Sequence, residues 1–305
     1  MSFLSFPGLI FAALIAVGFC AVPVDPQRPL MHYTPPQGWM NDPSKPIEDL
    51  RSGALHRYHL YFQWTPNSTE ASWQGGWGPF WGHAVGQSVA GPWQTLGYIN
   101  IGKQGTGGAV QLNSTHFALT WPGGAAITDD PALHEWEVFS EKEENATGFA
   151  FHTGNNNAVW LNKSEGGATI VTTAVSGAVG TVGDRRTDPA LLRYTQLASA
   201  IHNESTWQYQ GPIWVGHGLR KGRAECGDYF SLSDRKVAMY SWGGYQVAWM
   251  VGDETANGTF IESSSGVVDY GGYYASASFE VEDGRRILWA WVIEGASQSP
   301  SRASQ

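Results

Sequence analysis

Cysteine is almost missing from this chain. Two occur in 305 residues, Cys20 and Cys226, and Cys20 falls in an N-terminal apolar run that reads as removable. One thiol then remains, so no internal disulfide can form and stability must come from packing. Cys226 reads as a small buried hydrophobe. No Cys-His pairing makes it a nucleophile, and no His or Cys spacing is typical of zinc; no metal and no cofactor are expected. Charge is scarce too: charged residues are 15% of the chain, with 18 Lys and Arg against 27 Asp and Glu, a formal net charge of −9. Phosphate binding needs basic patches, and none stands out, so nucleic acid is excluded as an expected partner. Amphipathic helical periodicity is also missing. The one long apolar run, residues 9–21, is short for a membrane span and polar sequence follows at once, so no membrane partner is expected.

That run ends in small residues before Val22-Pro23. It reads as a secretory signal peptide over residues 1–21, cleaved near Ala21, although no Lys or Arg precedes the apolar stretch. Six Asn-x-Ser/Thr sequons, at Asn67, Asn113, Asn145, Asn162, Asn203 and Asn257, agree with export and predict a secreted glycoprotein.

Tryptophan and glycine are abundant, at 15 and 38 residues. Most of the Trp is expected in packing. The sharper reading is a sugar cleft, where indole faces cover the apolar side of a ring. From Tyr58 onward, short apolar, aromatic and β-branched runs alternate with Gly, Pro, Asn and Ser. Residues 58–64, 117–121, 158–161, 169–175, 237–242, 246–251, 273–281 and 287–293 read as strands. Many short strands without helices predict an all-β sandwich, barrel or propeller. Internal repeats are faint and do not choose among these.

Five stretches stand in order. Gly38-Trp39-Met40-Asn41-Asp42-Pro43 comes first, followed by Tyr58-His59-Leu60-Tyr61-Phe62-Gln63-Trp64-Thr65-Pro66 and Trp77-Gly78-Pro79-Phe80-Trp81-Gly82-His83-Ala84. Downstream are Glu225-Cys226-Gly227-Asp228-Tyr229-Phe230, then Asp269-Tyr270-Gly271-Gly272-Tyr273-Tyr274-Ala275 leading to Trp289-Ala290-Trp291. Asn-Asp-Pro alone is turn chemistry. Together and in this order, the set resembles the invertase and inulinase family of glycoside hydrolases, family 32, from about Pro35 to Glu294. The resemblance implies a five-bladed β-propeller over residues 22–294, with a polar tail over 295–305. It also implies that the β-sandwich usual after the propeller is lacking and that the last blade is incomplete.

The same resemblance implies retaining hydrolysis of sucrose or fructans, which needs two carboxyl groups flanking the anomeric carbon. Asp42 falls at the nucleophile, in a polar turn expected to keep it ionised. Glu225 falls at the general acid/base, where aromatic surroundings are expected to raise its pKa. Asn41, Gln63, Trp77 and Trp81 fall at substrate-contacting positions, although blade packing accounts for both Trp residues equally well.

Three departures stand out. Ser44-Lys45 replaces a frequent Asn-Gly, and Thr106-Gly107-Gly108 replaces Ser-Gly-Ser. The third is the Arg-Asp-Pro whose Asp stabilises the transition state. Arg186-Thr187-Asp188-Pro189 carries an inserted Thr and comes too late in register, where Ala150-Phe151-His152 stands instead. The third carboxylate therefore reads as missing. Three functions stay open: hydrolase, fructosyltransferase, and a catalytically impaired carbohydrate-binding propeller.

Overall fold

The computed structural model describes residues 32–68, 79–103, 105–121, 124–138, 157–162, 167–175, 189–197, 208–216, 224–242 and 246–292. Among these there is no helix; nineteen strands form five antiparallel sheets. Sheet one runs β1 (Trp39–Pro43), β3 (Tyr58–Thr65), β4 (Phe80–Gly86), β5 (Trp93–Lys103), with β2 (Ile47–Glu48) on β3. Sheet two is β6 (Gly108–Gln111), β7 (Phe117–Trp121), β8 (Gly124–Thr128) and β9 (Glu137–Val138). Sheet three is β10 (Asn157–Asn162), β11 (Gly167–Val175), β12 (Pro189–Leu197) and β13 (Gln208–Val215). Sheet four is β14 (Ala224–Leu232), β15 (Arg235–Trp242), β16 (Gln246–Glu254) and β17 (Phe260–Val267). Sheet five pairs β18 (Tyr273–Glu280) with β19 (Arg286–Val292). The eight runs read as strands from the sequence fall on strands here, except that Val281 lies just past β18 and residue 293 lies outside the described residues.

Consecutive sheets bury apolar faces against each other. Tyr61, Trp81, Ile99 and Ile101 of sheet one meet Phe117, Leu119, Trp121 and Trp136 at sheet two. Strands β6 and β10 link sheets two and three. Leu191 and Ile213 of sheet three join Tyr229, Tyr240 and Met250 of sheet four. Val237, Met239 and Val247 of sheet four receive Tyr273 and Leu288 of sheet five. Phe279, Val281 and Trp289 of sheet five then pack on Tyr58 and Trp93 of sheet one. Polar groups fasten that last contact: the Glu282 N–H donates to Glu48 Oε2 at 2.6 Å, and Arg57 bridges Glu48 and Glu282.

A column of imidazoles runs from sheet one to the loop between β8 and β9 of sheet two. His59 Nδ1 lies 2.9 Å from His83 Nε2, and His83 Nδ1 lies 3.0 Å from His134 Nδ1. His59 and His83 are fully buried. The tautomers follow from one end. His59 Nε2 faces the His56 carbonyl at 3.2 Å, and a carbonyl only accepts, so His59 carries its proton there. His59 Nδ1 then accepts from His83 Nε2, and His83 Nδ1 accepts from His134 Nδ1. His59 and His83 are satisfied only when neutral, since a proton on either Nδ1 removes an acceptor. Tyr61 stacks on His83 with centroids 4.7 Å apart, completing the column. Burial drives the His59 pKa down to about 4 and the His83 pKa well below the usual histidine value.

Candidate active site

Asp42 and Glu225 lie on the first strands of their sheets, β1 and β14. Each stands where pairing with the neighbouring strand slips. The β1–β3 register shifts between Met40 and Pro43, and the β14–β15 register between Glu225 and Asp228. The β18–β19 register shifts likewise between Tyr274 and Ala277. Such bulges re-aim side chains out of the pleat. Two of them hold a non-glycine residue at positive φ, Cys226 at 50° and Ala275 at 55°, a conformation that costs about 1 kcal/mol or more. Strain of this kind persists where the surrounding structure fixes it.

The three bulged strands converge through hydrogen bonds. Trp291 Nε1 donates to Asp42 Oδ1 at 2.9 Å, and Thr106 Oγ1 donates to Asp42 Oδ2 at 2.6 Å. Tyr274 OH donates to Glu225 Oε2 at 2.8 Å. The Tyr274 and Trp291 rings lie 5.6 Å apart, so an aromatic pair bridges the carboxylate of β1 and that of β14. Each carboxylate also acts electrostatically on Tyr274, and Glu225 acts on Asp42. Below them, buried Asp228 ties β14 to β18 by accepting from the Ser278 N–H at 3.1 Å and from the Ser278 hydroxyl. Lys45 and Arg286 approach the same carboxylate at 4.0 and 3.9 Å, and Arg286 lies over the Phe230 ring at 3.8 Å. Burial lowers the Lys45 pKa to about 8, with Asp228 opposing that shift.

One sequence expectation reverses. The turn at Asn41-Asp42-Pro43 was expected to keep Asp42 readily ionised. Burial instead pushes its pKa up to about 6, against the hydrogen bonds from Thr106 and Trp291, and the charge of Glu225 adds to the rise.

Asn41 is half-buried on β1 beside Asp42, within the bulge. Gln63 is 2% exposed, and its Nε2 donates to Thr106 Oγ1 at 2.5 Å. Trp81 is 0% exposed, in edge contact with Trp121, and its indole N–H donates to the Gly105 carbonyl at 2.9 Å. With no exposed face, its ring supports the 105–107 turn from behind instead of offering a stacking surface, which is the packing role weighed above. Gly107 completes that turn: a Cβ there would come within 1.9 Å of the Thr120 carbonyl oxygen, so only glycine fits. Trp81→Phe is expected to cost about 1–2 kcal/mol in urea unfolding, through a lost hydrogen bond and lost ring volume. Trp77, Arg186, Asp188 and residues 150–152 lie outside the described residues. The strand that begins after Asp188, β12, is third in its sheet, whereas Asp42 and Glu225 occupy first strands.

Thr106, Tyr274 and Trp291 were not singled out as site residues from the sequence. All three lie inside stretches quoted above, so the signal was present, but nothing local shows that an indole N–H or a threonine hydroxyl reaches a carboxylate on β1.

Against known proteins, residues 32–167 and 182–304 match the family model described as the glycosyl hydrolases family 32 N-terminal domain. The chain belongs to glycoside hydrolase family 32. Among its family relatives, a fructan 6-exohydrolase of Beta vulgaris is 26% identical, over 90% of this chain and 50% of that protein. A sucrose-6-phosphate hydrolase of Zymomonas mobilis is 28% identical, over 90% of this chain and 56% of its own length. The chain thus spans about half the length of the curated relatives it matches. In fold, it is similar to a family 32 beta-fructofuranosidase of Bombyx mori solved as a mutant in complex with sucrose. That TM-score is 0.65 at 19% identity, covering 86% of this chain and 56% of that one.

Proposed function

We propose that this family 32 chain is a secreted, retaining β-fructofuranosidase acting on sucrose or fructans, built as a five-bladed propeller. The observation that carries the reading is the pairing of Asp42 and Glu225. Two carboxylates from distant strands sit on bulges and are joined through Trp291 and Tyr274. In the proposed reaction Asp42 attacks the anomeric carbon of the fructosyl unit while Glu225 gives its proton to the departing glycosidic oxygen. Glu225, now a carboxylate, takes a proton from water. That water attacks the same carbon, the Asp42 ester bond breaks, and fructose leaves with its configuration retained. No cofactor is required. Asn41, beside the nucleophile, is proposed to bond a fructosyl hydroxyl. Packing of sheet five on sheet one supports the propeller, and the apolar N-terminus with the six sequons supports export.

Sucrose given to the full chain should yield glucose and fructose in equal amounts, with the fructose released first as the β-anomer by NMR; the opposite anomer would exclude retention. The nucleophile must be ionised in the free enzyme. With its pKa near 6, kcat/KM should fall as pH drops below about 6, and a profile level down to pH 4 would contradict the assignment.

A second reading, a carbohydrate-binding protein with impaired turnover, is favoured by one observation. Asp188, the carboxylate nearest in sequence to the family's third, precedes the third strand of its sheet rather than the first. Sucrose binding by calorimetry without glucose release would select it. Transfer of the fructosyl group to a sugar would instead appear as longer oligosaccharides at high sucrose.

A further inference from the structure

We infer that Lys45 is a positioning residue for the two carboxylates: through Asp228 it ties the end of the Asp42 strand to the strands that carry Glu225 and Tyr274, and so fixes the span between Asp42 and Glu225. Its consequences for turnover rest on the fructosidase reading; the tie itself rests on geometry. Lys45 lies just past the end of β1, is 7% exposed and holds φ at 48°. Glycine adopts that left-handed conformation freely, and a long side chain does not. The ammonium is also withdrawn from water: burial lowers its pKa to about 8, Asp228 opposes that shift and Arg286 adds to it. Strained backbone and a buried charge at one residue both oppose folding, so local stability does not account for lysine here. Its contact does. Lys45 Nζ lies 4.0 Å from Asp228 Oδ1, and Arg286 of β19 reaches the same oxygen at 3.9 Å. Asp228 closes the β14 bulge that begins at Glu225. Its other oxygen accepts from the Ser278 N–H and hydroxyl, beside the β18 bulge between Tyr274 and Ala277. One carboxylate thus joins β14, β18 and β19, and Lys45 connects it to β1. Pro43, Lys45, Thr106, Cys226, Asp228 and Ser278 line one cavity. Pro43 adjoins Asp42 and Cys226 adjoins Glu225, so the tie stands next to both. Asp42 and Glu225 belong to different sheets, and no ladder of backbone hydrogen bonds sets their separation. A retaining pair tolerates little change in that separation.

The span can be read in the full chain without substrate. The charge of Glu225 raises the Asp42 pKa, so Glu225→Gln should lower it, and NMR titration of the Asp42 carboxyl measures the drop. The size of that drop reports how near the two groups stand. Lys45→Met keeps the length of the side chain and removes the charge, and in that background the drop should shrink to about half or less. Comparing drops instead of pKa values cancels the direct effect of the lost ammonium on Asp42. Lys45→Arg keeps a cation for Asp228 and should restore the drop. On sucrose, Lys45→Met should lower kcat about tenfold with KM within about twofold, the mark of misplaced reacting groups. Lys45→Gly relieves the backbone and leaves Arg286 on Asp228, so its urea midpoint should stay near that of the wild type while kcat falls as in Lys45→Met. If Lys45→Met does not fold, Lys45→Gly carries the titration. A Lys45 variant in which Glu225→Gln moves the Asp42 pKa as far as in the wild type would overturn the proposal. So would a lowered urea midpoint with kcat unchanged, which is a purely structural role. A wild-type chain that leaves sucrose intact defeats the fructosidase reading; the titration then decides the tie alone, a smaller drop supporting it and an equal one overturning it.

Discussion

Asp42→Asn should reduce kcat/KM on sucrose by at least about 10⁴-fold, because no glycosyl-enzyme can form without the carboxylate. Glu225→Gln should lose about 10²- to 10⁴-fold, the usual range for a general acid. The two losses should differ in kind. An activated fructosyl donor, whose leaving group needs no proton, should recover the first step in Glu225→Gln and recover nothing in Asp42→Asn. Stability should move the other way from activity. Burial raises the folded Asp42 pKa from the ordinary aspartate value to about 6, so the fold favours its protonated form. Its stabilising contribution is present below the unfolded pKa and is lost as pH rises through the folded one. Asp42→Asn should therefore unfold at higher urea than the wild type at pH 7. An inactive variant that is also strongly destabilised would point to a structural role for Asp42.

Acidification from pH 7 to 4 should destabilise the fold by roughly 3 kcal/mol through His59 alone. Here the sign is opposite to that of Asp42. The folded His59 pKa, about 4, lies below the ordinary histidine value of 6.5, so across that window the unfolded chain binds more protons. The stability is fully present above pH 6.5 and is lost as pH falls toward 4. His83 shifts in the same direction and adds to the loss. The groups acting on His59 are Asp49, His56 and Arg51, with His83 in direct contact. His59 and His83 must be neutral because the tautomers are fixed from the His56 carbonyl onward; a proton added to either ring breaks a hydrogen bond in the column. Urea unfolding at pH 7 and pH 4 measures this. His59→Gln should be less stable at pH 7 and show a weaker loss on acidification. An equal loss in wild type and variant would assign the acid sensitivity elsewhere.

The strands were legible because their composition is plain. Runs such as 58–64 and 237–242 are apolar or aromatic, bounded by turn residues, and need no long-range information. The grouping into sheets was not, since it depends on which faces bury each other, as when Phe279 and Trp289 of sheet five pack on Tyr58. Asp42 and Glu225 were readable only through ordered motifs. Taken singly, an Asn-Asp-Pro is a turn and a loop Glu is a solvated carboxylate. The raised Asp42 pKa was not legible because a local turn suggests backbone hydrogen bonds, whereas burial of the carboxyl in the folded chain outweighs them and the hydrogen bonds from Thr106 and Trp291. Trp81 shows the same limit. Its sequence neighbours suit a sugar platform equally well, and only the packing of Trp121 against it gives the buried role.

Covalent trapping tests the central claim most directly. Glu225→Gln, mixed with an activated fructosyl donor such as fructosyl fluoride and quenched in acid, should accumulate the glycosyl-enzyme, because the base needed to activate water is gone. Peptide mass spectrometry should then find one fructosyl unit on the peptide containing Asp42 and on no other. The label on a different carboxylate, or hydrolysis of the donor with no labelled peptide at any time, would contradict the assignment of Asp42 as the nucleophile.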